Sequence, residues 1–348
     1  MAVTLKDIAQ KVGVSVTTVS RALGGYDDVA EETRQRILQT AREMGYRPHI
    51  IAQSLQRKRT NTVGFIIPTA GPRFSDPYFT EILTGIGNEA AEHEFDLLVS
   101  TRAPGAQEQE AYERMVGSRR VDGLLVVRTR CHDERIAYLM ERGFPFVAFG
   151  RSDLNLDFPY VDVDGTRGLD EATQYLVDLG HRRIAYISAP LNLMFANYRL
   201  AGYKRTLERN GLPVREEWIA IGRLTQEDGY REGLKLLDWE PAPTAIIAAN
   251  DLMALGVISA AQERGLIVGR DLAVVGFDNT PLAEHSHPPL TTVHQPIYDI
   301  GKMICRTLIQ LIRNENPVQH QVMLEPTLVI RESSGVNGQA TVAPLGGE

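Results

Sequence analysis

Apolar residues recur at helical spacing in three short segments near the start of the chain. In residues 6–12, Ile8, Ala9 and Val12 form one stripe behind Thr4 and Asp7, a pair spaced like a capping box. Gly13 then breaks the chain, and Ser15 can cap a second helix over 16–23 whose Val19 and Leu23 face inward. A third helix, over 31–44, buries Ile37, Leu38, Ala41 and Met44. It carries Glu31 and Glu32 in its first turn, where the helix dipole favours carboxylates. From residue 62 the pattern changes to strand-length apolar runs. VGFIIP (63–68), FDLLVS (95–100), DGLLVV (122–127) and FPFVAF (144–149) form one set, and RIAYIS (183–188), TAIIAA (244–249) and DLAVVGF (271–277) a second. Segments of helical spacing lie between them, at 78–93, 107–118 and 167–179 for example. Buried runs alternating with helices predict parallel sheets covered on both faces, and two sets predict two doubly wound α/β subdomains. A helix over 297–312 is expected to return to the first subdomain, with QVMLEPTLVI (321–330) as a closing strand.

The length of 348 residues agrees with two or three domains. With 43% hydrophobic and 23% charged residues, the chain is neither disordered nor fibrous. No apolar run reaches the roughly 18 residues of a membrane span, so no membrane partner is expected. The opening MAVTLKDIAQ is too polar for an export signal, and two cysteines, Cys131 and Cys305, cannot build a disulfide framework; a cytoplasmic location is expected. The net charge of −7 conceals an asymmetry. Residues 1–59 hold 3 Lys and 7 Arg against 3 Asp and 3 Glu, while the rest hold 27 basic and 38 acidic side chains. A basic head on an acidic body points to a polyanion at one end.

Two helices joined by a tight turn and braced by a third form the helix-turn-helix plan, in which the second helix enters the major groove. Val16, Thr17, Ser20 and Arg21 lie on or near its outward face. Arg21 can fork onto the O6 and N7 of guanine, Thr17 can bond a base or touch a methyl, and Val16 offers apolar contact to thymine. Thr4, Ser15 and Thr18 sit at helix starts, where hydroxyls and backbone N–H groups meet phosphates. The same residues also suit a plain three-helix bundle whose Ser and Thr are only caps.

The segments KDIAQKVGVSVTTVSRAL and VAEETRQRILQTAREMGYRPHIIAQSL resemble the lactose-repressor (LacI) family of bacterial transcription regulators almost position by position. The resemblance implies that Val16, Thr17 and Arg21 read bases. Ala30 departs from it, standing where a serine often caps the third helix. After Pro48, the stretch HIIAQSLQRKR is helix-compatible but too short to be stable alone. Its Ile51, Ala52 and Leu55 share one face, and Arg57, Lys58 and Arg59 follow. Such a segment can fold when paired with a second copy on DNA. The resemblance implies a hinge helix that contacts DNA through Ala52 and Leu55, with Leu55 wedged into a minor-groove base step.

Open parallel sheets bind ligands beyond the carboxyl ends of their strands. That rule selects residues 68–78, Arg102, Arg128, Gly150, Arg151, residues 189–199, Asn250, Asp251 and residues 277–279. Charges, amides and aromatics mix there, as a polyhydroxylated ligand requires. The segments YRLAGYKRTL, AIIAANDLMALG and VVGFDNTPLAEHSHPPLTTVHQP resemble the family's effector-domain motifs. They place Arg199, Asn250, Asp278 and Gln295 at effector-contact positions, with Phe74, Asp76, Tyr78, Phe79, Arg151 and Phe195 completing the candidate set. Leu224 stands where several members carry a stacking aromatic, which weakens the case for stacking there. Arg199 could instead brace a helix, and Asp278 could cap one.

Enzyme motifs are absent: no GxSxG elbow, no Walker loop, and no GxGxxG after a strand. EHSHPP with His294 lacks metal-ligand spacing, VDVDG (161–165) lacks the glutamate a calcium loop needs, and His181 reads as a turn residue. No metal, cofactor or catalytic residue is expected.

The expected architecture is an all-α three-helix headpiece over 1–47 and a hinge helix with linker over 48–61. A periplasmic-binding-protein-like α/β domain follows over 62–335. Its N-lobe takes about 62–164 plus 296–324 and its C-lobe about 165–295 plus 325–335, with a flexible tail over 336–348. The tail lacks a leucine heptad, so coiled-coil tetramerisation is not expected. The expected function is that of a homodimeric repressor of carbohydrate genes, binding palindromic double-stranded operator DNA under control of a mono- or disaccharide. The alternative signal within the same class is a nucleobase or a phosphoprotein co-repressor.

Overall fold

A computed structural model describes residues 3–24, 26–46, 59–69, 76–315 and 319–335. The expectations for Ala52, Leu55 and the rest of the hinge, for Phe74, and for the tail from 336 onward lie outside the described residues. The chain divides into two compact units, Met1–Asn61 and Thr62–Glu348.

In the first unit, α1 (Leu5–Val12) opens on the capping box read from Thr4 and Asp7. The Thr4 hydroxyl accepts from the Asp7 N–H at 3.4 Å, and Asp7 Oδ2 accepts from the Thr4 N–H at 2.8 Å. Those bonds from Thr4 hold the Asp7 carboxyl below the usual carboxylate range. Gly13 ends α1 at φ +75°, a left-handed conformation that glycine adopts without strain. The helices α2 (Val16–Gly24) and α3 (Glu31–Glu43) follow. Ile8, Val12, Val19, Ala22, Val29, Ile37 and Ala41 bury themselves where the three helices meet, with Leu23 and Met44 against their rim. Ala30 gives α3 no side-chain cap.

The second unit contains two six-stranded sheets. The strands of the first are β1 (Thr62–Pro68), β2 (Asp96–Arg102), β3 (Gly123–Val126), β4 (Phe146–Phe149), β5 (Tyr160–Val163) and β11 (Gln321–Leu324). They run in the order β11-β5-β4-β3-β1-β2, all parallel. Helices Pro77–Glu92 and Ile297–Ile312 cover one face of this sheet, and Ala106–Ser118 and Glu134–Glu141 the other. Both faces are therefore dry, which explains the unbroken apolar runs of β1, β3 and β4. The second sheet uses β6 (Ile184–Ser188), β7 (Ile219–Ile221), β8 (Ala245–Ala248), β9 (Ala273–Asp278), β10 (Thr291–His294) and β12 (Thr327–Val329). Its order is β12-β10-β9-β8-β6-β7, parallel except for β12, which runs antiparallel to β10.

One expectation is corrected. QVMLEPTLVI is not one closing strand but two: β11 finishes the first sheet and β12 the second, with only Glu325 and Pro326 between them. Proline cannot donate to a ladder, so the strand stops and the chain changes sheet there. With the passages after β5 and after β10, this makes three crossings between the lobes.

The helices on the first sheet touch closely. A Cβ added at Gly85 would stand 2.1 Å from the carbonyl oxygen of Tyr298, so Pro77–Glu92 and Ile297–Ile312 can approach this far only over a glycine. Gly85→Ala must push one backbone off the other. We expect a loss of about 1–3 kcal/mol, the usual range for overpacking, seen as a lower Tm with unchanged helical circular dichroism.

Candidate functional site

On α2, Val16, Thr17 and Arg21 are exposed and Ser20 is half-buried, so the positions read as base contacts share the free face of the helix. The hydroxyls read as phosphate contacts serve as caps. Ser15 Oγ accepts from the Thr18 N–H at 3.0 Å and shares a bond with Thr18 Oγ1 at 2.8 Å, while Thr4 bonds Asp7. Arg21 is paired with Asp28.

In the second unit, a cavity of about 670 Å³ of atom-free space, partly open to solvent, lies at the carboxyl ends of both sheets. The first lobe contributes Asp76 and Tyr78 after β1, Arg128 and Thr129 after β3, Phe149 and Gly150 at β4, and Asp162 on β5. The second contributes Phe195, Tyr198 and Arg199 from helix Met194–Arg209. It also brings Leu224 after β7, Asn250 after β8, Asp278 at the end of β9 and Gln295 after β10.

The backbone is strained around this cavity. Arg128, Leu224 and Asp278 take φ of +50°, +64° and +112°, conformations that cost non-glycine residues roughly 1–3 kcal/mol each. Such strain is held where it aims a side chain, and all three residues lie on the cavity wall.

Arg199 is the most constrained of the lining groups. Its guanidinium carbon lies 3.4 Å from the centre of the Phe277 ring and 4.7 Å from that of Phe195, and Nη1 donates to the Ala249 carbonyl. Its Nε is buried with no hydrogen-bond partner among the described residues. Burial lowers its pKa, against the pull of the Asp278 carboxylate. Gln295 Nε2 donates to Asp278 Oδ1. Burial pushes the Asp278 carboxyl well above the carboxylate range despite Arg199, and the nearby Asp251 and Asp76 push the same way. Asp251 itself, also buried, is pushed up to about 6, although it accepts from the Thr280 N–H at 2.7 Å and the Thr292 hydroxyl at 2.6 Å.

The other charges pair off. Arg128 Nη2 donates to Asp76 Oδ2 at 3.4 Å, and its guanidinium lies 4.6 Å over Phe79. Arg151 Nε donates to Asp162 Oδ2 at 2.7 Å, with its guanidinium 3.8 Å from the Tyr198 ring centre. Arg128 and Arg151 are thus each answered by a carboxylate, Asp76 and Asp162. Tyr78, stacked 6.4 Å from Phe149, supplies the aromatic side of the first lobe.

Of the expected effector residues, Asp76, Tyr78, Phe195, Arg199, Asn250, Asp278 and Gln295 meet on this wall. Arg151 is not on it but supports Asp162 and Tyr198. Phe79 lies under Arg128 and lines an adjoining hollow instead. Asn250 has a second duty, since its Oδ1 caps helix Asp251–Glu263 through the Met253 N–H and its Nδ2 donates to the Leu224 carbonyl. Sequence reasoning missed Thr129, Phe149 and Asp162, and it left Tyr198 inside the strand-end segment 189–199 without singling it out. Asp162 was reachable, because it stands in VDVDG, a segment weighed only as a metal loop. Among the described residues no cluster of three metal-ligating side chains occurs, and no helix is long and apolar enough to cross a membrane.

Beside the cavity the lobes are joined by main-chain bonds. Cys131 N–H donates to the Asn192 carbonyl at 3.0 Å and Met194 N–H to the Thr129 carbonyl at 2.9 Å, an antiparallel bridge of Arg130 with Leu193. The first-lobe side of this bridge is braced by buried Arg135, which holds Asp133, Glu108 and the Arg128 carbonyl together.

Residues 4–49 match the family described as bacterial regulatory proteins, lacI family, and residues 173–334 match a periplasmic binding protein-like domain. The transcriptional regulator AglR of Rhizobium meliloti is 36% identical over 96% of this chain and 95% of its own length. Among solved structures, the transcriptional regulator CelR–cellobiose complex shares 33% identity at a TM-score of 0.74, covering 95% of this chain and 99% of that one. The lac repressor dimer bound to operator and the anti-inducer ONPF shares 29% identity at a TM-score of 0.84, covering 96% and 99%.

The environment of Asp278 makes stability depend on pH with a definite sign. Its native pKa is raised above the unfolded value of about 3.9, so the native state holds a proton that the unfolded chain gives up. The associated stability is present at low pH and is lost as pH rises through the window between the two values. We therefore expect the unfolding free energy of wild type, relative to Asp278→Asn, to fall as pH is raised from 4 toward neutrality in urea titrations; a flat difference would contradict the assignment.

Proposed function

The chain belongs to the lacI family of bacterial regulatory proteins, and from that premise we propose a transcriptional repressor that grips palindromic operator DNA as a homodimer and is controlled by an uncharged sugar. The observation that carries the sugar reading is the Arg199–Asp278 pair. The buried Arg199 guanidinium, whose Nε has no partner among the described residues, lies within electrostatic reach of Asp278, whose carboxyl accepts from Gln295 Nε2. Adjacent hydroxyls satisfy both groups, since a hydroxyl donates to the carboxylate and accepts from Nε–H. The rings of Phe195, Tyr78 and Phe149 offer flat faces to the apolar side of a pyranose. The pairing of Arg128 with Asp76 and of Arg151 with Asp162 favours a neutral ligand, and the cellobiose in the CelR structure is in keeping with one or two sugar rings. A nucleobase is the second reading, favoured by the aromatic faces on both sides of the cavity.

Val16, Thr17, Ser20 and Arg21 would read the operator, with Thr4, Ser15 and Thr18 near its phosphates. Ala52 and Leu55 keep the hinge role that the family resemblance gives them. Control follows from linkage: a ligand alters DNA affinity only by binding one arrangement of the two lobes better than another. The three chain crossings and the Arg130–Leu193 bridge define the joint at which those arrangements differ.

A thermal-shift panel of mono- and disaccharides and nucleobases tests the ligand. At about 100 times its dissociation constant the true effector adds about 2.7 kcal/mol, a clear rise in Tm. Asp278→Asn should abolish the response to that compound, and a response from nucleobases alone would favour the second reading. For DNA, Arg21→Ala should lose discrimination for a duplex selected from a random pool; retained discrimination in a mobility shift would reject its role.

A further inference from the structure

Arg21 does not stand alone on its helix. Its Nε donates to Asp28 Oδ1 at 3.0 Å and its Nη2 pairs with Asp28 Oδ2, so the carboxylate takes the side-on edge of the guanidinium. The Tyr26 ring lies beneath, with its centre 5.1 Å from the guanidinium carbon. The turn that carries both residues is tied down on either side of them. Tyr26 N–H donates to the Arg21 carbonyl at 3.1 Å, Arg34 Nη2 donates to the Tyr26 carbonyl at 2.6 Å, and Val29 is buried in the headpiece core. Gly24 leaves room for the ring, since a Cβ there would approach Tyr26 Cε2 to 3.0 Å.

An arginine has two edges that can make paired hydrogen bonds. The edge through Nε and Nη2 is taken by Asp28, and the end-on edge through Nη1 and Nη2 is the one that spans the O6 and N7 of guanine. A long side chain that must be ordered on binding loses rotamer entropy, and one already fixed loses less. We propose that Asp28, assisted by the Tyr26 ring, is a positioning residue that pre-orients Arg21 for guanine and thereby sets operator specificity. Its negative charge beside the DNA path has a second effect: it weakens attraction to phosphates on any sequence, which widens the gap between specific and non-specific binding. This inference rests on Arg21 reading the operator, as proposed above.

The test uses the full-length protein and a duplex selected with wild type from a random palindromic pool. Affinities of wild type, Asp28→Ala, Asp28→Asn, Arg21→Ala and the Arg21→Ala/Asp28→Ala double variant are measured for that duplex and for a scrambled one. A third duplex carries 7-deazaguanine at the position where Arg21→Ala loses discrimination. Asp28→Ala should reduce the ratio of selected to scrambled affinity about tenfold, on the scale of one weakened bidentate base contact. The loss should vanish on the 7-deazaguanine duplex and in the Arg21→Ala background. Asp28→Asn, which keeps an acceptor but not the charge, should share any gain on scrambled DNA yet lose less discrimination. Helical circular dichroism checks that each variant is folded. Unchanged discrimination by Asp28→Ala would overturn the proposal, as would an equal loss in the Arg21→Ala background. If Arg21→Ala itself binds as wild type does, the DNA-reading role of Arg21 falls first, separately from the effect of Asp28.

Discussion

A buried guanidinium that lacks one of its hydrogen bonds governs the second unit. Arg199 is sandwiched between two phenylalanine rings and tied at one nitrogen to a main-chain carbonyl, yet its Nε is left without a partner among the described residues. A buried polar group without a partner costs about 1–3 kcal/mol, and a charged one more, so the fold must supply that energy elsewhere. It does so with two sheets, covered on both faces, whose central strands are dry. Their carboxyl ends are where Asp278, Arg128 and Leu224 can be held in left-handed conformations. The cavity is therefore a place where polar atoms and strain are concentrated.

The two lobes share that cavity unequally. The second lobe provides Arg199, Asp278, Asn250 and Gln295, whose polar atoms converge, while the first provides aromatic faces and charges already matched in pairs. The bridge between residues 129–131 and 192–194 stands beside this division, and the buried Arg135 cluster keeps its first-lobe side stiff.

Much of this was legible from residue order. The runs VGFIIP, DGLLVV, RIAYIS, TAIIAA and DLAVVGF were recognisable because a strand buried on both faces has no reason to alternate. The rule that ligands lie beyond strand ends then reached Arg199, Asn250 and Asp278 without any structure. What escaped were the short strands YVDV, IAI and TTVH, which lie at or next to sheet edges and, at three or four residues, are too short to stand out. Asp162 was lost with the first of these. For Arg151, sequence places it after a strand but cannot show that its Nε is held by Asp162, a carboxylate of the cavity wall. In the headpiece, the capping box of Thr4 and the exposed face of α2 followed directly from spacing. The partnership of Arg21 with Asp28 did not, since it depends on how the turn after α2 folds back.

The order of strands in the first sheet has a consequence for how the chain is made. Tyr160 finds its ladder neighbour in Gln321, and the helix Ile297–Ile312 that seals one face is also late in the chain. The second sheet waits likewise for Thr327 to lie against His294. A nascent chain leaving the ribosome can therefore form most of the second lobe while the first, begun earlier, still exposes an unpaired edge and a bare apolar face. The lobe that starts first is thus closed only when residues 297–324 emerge, shortly before Thr327–Val329 closes the second, and over that long interval its open edge is the one exposed to mispairing.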